Sequence, residues 1–501
     1  MPTASVTTTH QSGGLTFSDV IPDRVHGKVG VAETGEVNKI YYIQNLKQAE
    51  NIFGRGQLID SLKQYFEEFD EELGQKPVPL LCVRPDNDIP GIVATPTLEG
   101  SGLATIAING SPSGSRSVKI KITKAGAGGI AEYRKSVDGG LSYGAPLVTP
   151  VSGASINLDV GVSATFTDDV TSPEQTFALG DVWSFEISGP AASNSSRLAA
   201  FEAFKQEYRV YWIHLLGGVD RNFAVSLDSV LQVMETELNQ PIFAVLEGMS
   251  FDEAEAKKGS DFADIAEYLQ YIADEYDPFF SDRVCIVASE GRYIPGGIAN
   301  AGGYEVVLAS EIPLGEWRNA ATLLTAKIAS GAPNVSAAYV REKRSLTMSE
   351  IRYWKEGYQD YMDLLHDMRL TVLKEYNDYD GIFIARDRMK SGPDSDFVEI
   401  PERRRADKMH RIVYRESLQF LNQDTNIGSG SGGIKYIQAV ADAAVSSSME
   451  VSGRQEISKH EIIFDPDKDF SQTKILKAKL KMFIAGRIKA IEWTTSFAVT
   501  Q

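Results

Sequence analysis

The sequence predicts a multidomain protein of mixed class: an α/β domain and an α+β domain, with a β-sandwich domain inserted into the first and extended arms at both ends. The chain has 501 residues, too many for one ordinary core, which suggests roughly three domains. Helix-like and strand-like apolar patterns alternate in two stretches, whereas the residues between them are rich in Gly, Ser and Thr and lack helical spacing. Both terminal segments have high β-propensity but no evident strand partner inside the chain.

Composition excludes several classes of function. Apolar residues make up 43% and charged residues 24% of the chain, as in a globular protein with a large core. The net charge of −18 argues against nucleic-acid binding, which needs a basic face. Cys82 and Cys285 lie in apolar runs and are interpreted as buried hydrophobic residues in a reducing compartment. The first residues do not resemble a signal peptide, and no apolar run approaches the ~20 residues of a membrane span. We therefore expect assembly in a cytoplasm without membrane anchoring.

The first elements are an arm, a helix and a strand. Residues 1–20 form the predicted N-terminal arm, with Val6, Thr7, Thr8 and Thr9 as its strand-prone part. A helix is predicted over residues 57–73, because large apolar residues recur at helical spacing. Its acidic face is interpreted as solvated rather than metal-binding. A short buried strand follows at residues 78–83.

Residues 89–196 form the predicted inserted domain. Short alternating runs such as residues 118–122 and 155–160 are separated by turn signals, which favours a β-sandwich of about 100 residues. Helical periodicity resumes at Arg197.

Residues 21–88 and 197–345 make up the predicted α/β domain. Strands separated by amphipathic helices indicate a largely parallel sheet. The predicted strands cover residues 208–216, 241–246 and 283–288, and the predicted helices cover residues 227–238, 261–276 and 320–329.

Residues 346–501 make up the predicted α+β domain, entered through a connecting helix at 350–373. Its later elements are a strand (381–386), a helix (406–421), a glycine loop (428–433), a helix (434–448) and two strand-like runs (457–464 and 474–499).

Motifs for chemistry are scarce. None of the six histidines has a partner at the spacing of a zinc site. The glycine loop contains both Gly-x-Ser-x-Gly and Gly-x-Gly-x-x-Gly, but a helix precedes it where an esterase elbow or a dinucleotide site needs a strand. No phosphate-loop motif is present. The sequence therefore predicts no enzyme: no catalytic residue, no metal and no cofactor.

Two clusters of basic residues belong to no catalytic, metal-binding or cofactor-binding motif. Arg403, Arg404 and Arg405 lie near the start of a helix, where cations oppose the helix dipole and therefore need partners, either within the subunit or on a neighbour. The second cluster lies in a stretch without acidic residues and includes Lys474, Lys477, Lys479 and Lys481. Alternation predicts a strand with one charged face. This face is either a solvated edge protected by lysines or a contact with an acidic neighbour, and we favour the second.

The C-terminal pattern resembles the signature of contractile phage tail sheath proteins. Residues 381–388 form a strand ending in an Arg-containing turn, an Asp-rich hairpin follows at Asp394 and Asp396, and an Arg pair leads into the helix at Ala406. The helix at 317–329 and the closing strands through Phe497, Ala498 and Val499 also resemble sheath elements. Within sheaths the chain is most similar to the DUF2586-type group. The resemblance covers roughly residues 14–90 and 197–501, and rests on the order and spacing of elements.

The resemblance implies a function and partners. The chain would polymerise with itself as a helix of stacked rings around an inner tail tube, with baseplate and tail terminator proteins at the ends. It would contract from a metastable extended state and drive the tube through a cell envelope, as part of a virion tail assembled in the host bacterial cytoplasm. The strands at Val6–Thr9 and at Phe497–Val499 would be exchanged between subunits, and the inserted domain at 89–196 would lie on the outer surface. The Arg403–Arg405 cluster, or the basic strand at 474–489, would contact tube or neighbour.

Three alternatives remain open. The sheath could belong to a bacterial contractile injection system instead of a phage. The alternation at 197–345 is also compatible with an α/β nucleotide-binding enzyme that uses the 428–433 loop. The inserted sandwich is compatible with a surface adhesin, although the missing secretion signal argues against it.

Overall fold

A computed structural model describes residues 23–68, 79–137, 139–140, 143–158, 160–293, 316–341, 344–352, 359–376, 379–422, 433–450, 455–465 and 477–484. Within these residues the chain is a mixed α/β protein with several sheets. Arg24–Arg404 form one compact unit, called here the large unit. The described residues from Arg405 on, together with Asp23, form a second, called here the C-terminal unit.

The strands, in chain order, are β1 (His26–Val29), β2 (Ile40–Ile43), β3 (Leu80–Val83), β4 (Ile92–Val93), β5 (Thr97–Glu99), β6 (Thr105–Gly110), β7 (Arg116–Lys124), β8 (Glu132–Ser136), β9 (Leu147–Val148), β10 (Ser155–Asn157), β11 (Val162–Thr167), β12 (Val182–Ser188), β13 (Trp212–Val219), β14 (Phe243–Gly248), β15 (Val284–Val287), β16 (Glu290–Tyr293), β17 (Glu316–Asn319), β18 (Leu373–Tyr376), β19 (Tyr379–Ile384), β20 (Lys459–Asp465) and β21 (Lys477–Phe483). The α-helices are α1 (Leu46–Phe53), α2 (Gln57–Glu68), α3 (Asn194–Glu202), α4 (Arg221–Thr236), α5 (Phe251–Lys258), α6 (Ile265–Tyr276), α7 (Ala321–Ser330), α8 (Gln359–Asp367), α9 (Ile400–Leu418) and α10 (Ile434–Met449).

The main sheet of the large unit has six strands in the order β15-β14-β13-β1-β3-β2. All neighbours pair in parallel except β2 and β3, which are antiparallel. Strands β1 to β3 precede residue 89 and strands β13 to β15 follow residue 197, so the two segments separated by the Gly/Ser-rich stretch share one sheet.

Helices cover both faces of this sheet, as the continuous apolar strands require. On one face, α3, α4, α6 and α8 bury a common core that includes Leu227 and Leu231 of α4 and Leu269 and Ile272 of α6. On the other face, α2 and α7 pack together, and every residue of α7 is buried. The Asp220 side chain caps α4 by accepting a hydrogen bond from the Phe223 N–H. The apolar stripes that predicted these helices are the stripes that face the core.

Several predicted helices differ from the structure at their ends: α4 begins at Arg221 and α9 at Ile400, each six residues before the predicted start. The helix predicted over 320–329 is present as α7 (Ala321–Ser330), whereas residues 317–319, which the sheath resemblance included in this helix, belong to β17 and pair with β16. Two guanidinium groups, of Arg292 and Arg352, lie 4.7 and 5.6 Å from the Trp317 ring centroid, and these tertiary contacts accompany the strand pairing. The helix predicted over 350–373 is shorter among the described residues: α8 ends at Asp367, Arg369 has a left-handed φ of 62°, and Leu373 begins β18.

Residues 92–188 form two antiparallel sheets, β10-β11-β6 and β4-β12-β7-β8-β9, with β5 also paired to β12. Side chains from both sheets share one core, in which Trp183 contacts Phe166 and Phe177 edge-on at ring-centroid distances of 5.1 and 5.8 Å. Alternating burial along β7 and β12 gives each strand one face in this core.

The two chain segments that enter and leave this double sheet run side by side. Ile89 and Ala191 exchange backbone hydrogen bonds at 3.0 and 2.9 Å. The Asp88 carboxylate accepts hydrogen bonds from the Ser193 hydroxyl at 2.5 Å, from the Ser193 N–H at 2.7 Å and from the Ser196 hydroxyl at 2.9 Å, at the start of α3. These bonds, led by that of the Ser193 hydroxyl, hold the pKa of Asp88 at about 2. The root of the inserted segment is thus held by an ionised carboxylate and a backbone bridge.

The C-terminal unit consists of α9 from Arg405 on, α10 and the pair β20–β21. Met409 and Ile412 of α9, Val445 of α10 and Ile462 of β20 belong to its small core. The predicted helix 434–448 is present as α10, and strands are present within both predicted terminal runs. No described helix is long and apolar enough to cross a bilayer.

Candidate assembly site in the C-terminal unit

Strands β20 and β21 form an antiparallel pair, with register from Lys459 opposite Phe483 to Asp465 opposite Lys477. Among the described residues this sheet has no third strand, so both of its outer edges present backbone N–H and C=O groups without a strand partner. A two-stranded sheet is only marginally stable alone, and an open edge is a template for pairing with another chain.

The faces of β21 differ in chemistry. Leu480 lies opposite Ile462, which is 1% exposed and part of the core, whereas Lys479 and Lys481 lie on the other face. Lys481 is 3.4 Å from Glu461, with both side chains about half exposed, and such surface pairs contribute only ~0–1 kcal/mol. The alternation in the sequence thus produces one apolar and one charged face. Lys477 begins the strand, and Lys474 lies outside the described residues.

His460 fastens β20 to α10. Its Nδ1 lies 2.8 Å from Glu450 and its Nε2 lies 3.2 Å from Asp442, with the His460 side chain 7% exposed. Burial would raise the pKa of Glu450, but hydrogen bonds from His460 and Ser446 outweigh it and hold the pKa below its ordinary value. Carboxylates only accept hydrogen bonds, so both contacts are satisfied together only when both ring nitrogens carry protons. Sequence patterns do not reveal this arrangement, because the partners precede His460 by 10 and 18 residues.

A second buried ionic group ties the chain just after the N-terminal arm to the same unit. The Lys408 ammonium on α9 lies 2.8 Å from Asp23 and 2.7 Å from Glu456, with the lysine and Glu456 side chains each 6% exposed. Arg405 also donates to the Glu456 carbonyl at 3.2 Å. The chain that follows the N-terminal arm therefore begins on the C-terminal unit, which also contains the β20–β21 pair.

The arginine cluster is buried within the subunit. Arg403 forms an ion pair with Glu235 at 3.0 Å, and Arg404 donates to the carbonyls of Gly331 and Ala332 and stacks over Trp212 at 5.3 Å. Arg403, Arg404 and Arg405 are only 2–3% exposed. Of the two alternatives left open by the sequence, the structure places these guanidinium groups on partners within the subunit. The tube or neighbour contact expected from the resemblance stays a prediction for these residues.

The strand-prone residues Val6–Thr9 and Phe497–Val499 lie outside the described residues, as does the glycine loop up to residue 432. Gly433 precedes α10 without any side-chain cap. Within the described ranges, no group of His, Cys, Asp and Glu side chains is arranged to hold a metal ion.

Comparisons with known proteins give a family and several similar folds. The model of the DUF2586 N-terminal domain matches residues 2–388. No curated protein matches the chain. Among solved structures, the chain is similar to a sheath tail protein from Listeria innocua (TM-score 0.46, 11% identity, 92% of this chain and 94% of that one) and to one from Desulfitobacterium hafniense (TM-score 0.45, 12% identity, 96% and 100%). It is also similar to a chain of the contracted sheath complex of PVC, an extracellular contractile injection system (TM-score 0.46, 8% identity, 98% of each chain).

Proposed function

The chain belongs to the DUF2586 family, and from that membership and the open sheet of the C-terminal unit we propose that it is the structural subunit of a contractile sheath, in a phage tail or in a bacterial injection system. The subunits polymerise helically around an inner tube and contract from a metastable extended state to drive the tube through a cell envelope. Its partners are further copies of itself, the tube protein and the proteins at the two ends of the sheath.

The observation that carries this proposal is the β20–β21 pair, whose two outer edges have no strand partner among the residues that the structure describes. A strand from a neighbouring subunit satisfies the backbone groups of such an edge, as in other cases of β-strand addition. The donating and accepting surfaces differ, so the contact is heterologous and propagates as an open helix.

The chain ends supply suitable donor strands. Residues 6–9 and 497–499 have strand-forming sequences. The contact between Asp23 and Lys408 fixes the root of the N-terminal arm on the C-terminal unit. An arm that leaves from this point and pairs with the next subunit keeps neighbours connected while other contacts rearrange during contraction.

The charged face of β21 adds an electrostatic contact. Lys479 has no ion-pair partner in the part of the chain that the structure describes, and Lys481 is 56% exposed. The whole chain carries a net charge of −18, so a local basic face favours an acidic surface on a neighbour or on the tube.

Electron microscopy of the overexpressed protein tests the proposal. Full-length protein is expected to form hollow tubes, whereas a variant lacking residues 1–14 is expected to remain monomeric with an unchanged circular dichroism spectrum. Equal polymerisation of both proteins would refute strand exchange through the N-terminal arm.

Charge reversal tests the basic face. The triple variant Lys477→Glu, Lys479→Glu, Lys481→Glu is expected to slow assembly at ~0.1 M salt, where the screening length is about 10 Å. The matched control reverses the same number of charges on β7, at Lys119, Lys121 and Lys124, and is expected to assemble normally. An equal effect of both triples would show that only net charge matters.

A further inference from the structure

The large unit contains a cavity of about 340 Å³ at the carboxyl ends of β13 and β14. Gly217 and Gly218 of β13 and Glu247 of β14 form one side, and α2 and α7 contribute Ser61, Gln64 and Thr322. The inserted segment closes the cavity with Gly114, Ser115 and Arg116. In open parallel sheets, ligands bind in crevices of this type outside the carboxyl ends of the strands.

A chain of buried polar groups lies behind the cavity wall. Lys28 is fully buried, and its Nζ lies 3.1 Å from the Ser61 hydroxyl and 2.9 Å from Nδ1 of His214. Nε2 of His214 lies 3.2 Å from Glu247, which also accepts from the Gly217 N–H at 2.7 Å. Burial, together with the Lys28 charge, holds the pKa of His214 well below its ordinary value, so a neutral imidazole accepts from Lys28 and donates to Glu247. The Lys28 amino group therefore contacts Ser61, a residue that lines the cavity.

Asp60, Glu247, Glu253 and Glu290 line the cavity, and the last three have hydrogen-bond or ion-pair partners within the large unit. Glu247 accepts from Gly217 and His214, Glu253 accepts from the Ser250 N–H at 2.8 Å and the Gly218 N–H at 3.2 Å, and Glu290 pairs with Arg352 at 2.8 Å. The oxygens of these three carboxylates therefore already accept hydrogen bonds within the unit.

By contrast, some hydrogen-bond donors of the residues that line the same cavity have no acceptor among the described residues. Gln64 is 1% exposed, and its Nε2 has no hydrogen-bond partner within the described ranges. Arg55 has no side-chain partner among the described residues, and Arg116 donates only to the adjacent Ser115 carbonyl. A buried donor without a partner loses its hydration and receives nothing in return, so an unpaired amide on a residue that lines a cavity indicates a missing acceptor.

We propose that this cavity binds a small oxyanion of the phosphate or carboxylate class. Its oxygens accept hydrogen bonds from Gln64 and Arg55 at the main sheet and from Arg116 of the inserted segment. The anion therefore joins the two parts of the large unit at their contact.

Two groups near the cavity make binding depend on pH. Burial lowers the pKa of Lys28 to about 7 and raises the pKa of Glu247 to about 7. An anion favours the protonated form of both groups, so it binds with uptake of protons and more weakly as the pH rises above 7. The other titratable groups that act on these two are His26, Cys82, Arg197, His214 and Arg318.

Calorimetric titration of the full-length protein with inorganic phosphate, and separately with acetate, tests the proposal at constant ionic strength. At least one of the two is expected to bind saturably at pH 6.5, with a Kd that rises by several-fold at pH 8.5. Arg55→Ala and Arg116→Ala are each expected to raise the Kd about tenfold, because charged donors make the strongest hydrogen bonds to oxyanions. Arg134→Ala removes an exposed arginine of the inserted segment outside the cavity and is the matched control.

Gln64→Leu removes the buried donor directly, and Arg55→Ala, at an exposed position, keeps the test valid if that variant does not fold. The proposal is overturned if neither anion binds below about 10 mM. It is also overturned if the Arg55 and Arg116 variants bind as tightly as the Arg134 variant. The proposed sheath function does not depend on either result, since tube formation is measured separately.

Discussion

Lys28 offers a direct test of the buried polar chain, because its removal changes how stability depends on pH. Its ammonium group is completely buried against Ser61, His214 and Thr325, 5.2 Å from the ring centroid of Tyr65. Lys28→Met keeps the length of the side chain and removes the charge.

The magnitude follows from the pKa. Burial lowers the pKa of Lys28 from 10.5 to about 7. Between these values the unfolded chain binds a proton that the folded chain does not, so the free energy of unfolding rises with pH. The rise is at most about 1.4 kcal/mol for each pH unit, so wild-type protein is expected to gain about 2 kcal/mol between pH 7 and pH 9 through Lys28 alone. The Lys28→Met variant lacks this gain.

Urea unfolding followed by tryptophan fluorescence at pH 7, 8 and 9 measures the difference. Trp212 is a suitable reporter, because its ring stacks on His26 with centroids 4.6 Å apart, two residues from Lys28. Lys205→Met makes the same chemical change at a partly exposed lysine and is expected to leave the pH dependence unchanged. Parallel pH profiles for wild type and Lys28→Met would refute the reasoning.

Three other substitutions test separate parts of the molecule. Trp183→Ala is expected to cost about 3–5 kcal/mol and to melt the double sheet first in calorimetry, whereas Leu179→Ala, at a side chain 71% exposed, is expected to change stability by less than ~0.5 kcal/mol. Asp88→Ala is expected to speed hydrogen exchange at the start of α3; in wild type that protection is expected to persist at neutral pH and to be lost only as the pH falls towards 2. His460→Leu is expected to speed hydrogen exchange in β20 and to slow tube formation, while His366→Leu, in the large unit, leaves both unchanged; equal effects of the two would show that His460 does not fasten the strand.

Local sequence patterns predicted most helices and strands, because the apolar residues of each element recur at a regular helical or strand spacing. The stripe of α6 and the alternation of β7 and β12 are properties of the sequence itself, and they face cores in the structure. The apolar pattern predicted α7 correctly over 320–329, whereas the resemblance extended that helix back to Trp317, where strand pairing with β16 decides the conformation instead.

The candidate sites depended more on distant residues. The charge of Arg403–Arg405 showed that partners were needed, but Glu235 on α4 could not be identified from local sequence. Lys28 and His214 lie on neighbouring strands with a sequence separation of 186, so nothing nearby indicates that the lysine is buried or that its partner is a histidine. The terminal arm strands remain predictions, because they lie outside the described residues.

The backbone bridge between Ile89 and Ala191 allows the inserted segment to be removed or replaced. Paired residues of antiparallel strands have Cα atoms only about 5 Å apart, so the two cut ends left by removing the double sheet can be rejoined by a short turn. The same geometry accepts an unrelated domain whose own termini lie close together. A tag, an enzyme or a binding module could therefore be spliced at this point with the main sheet still complete.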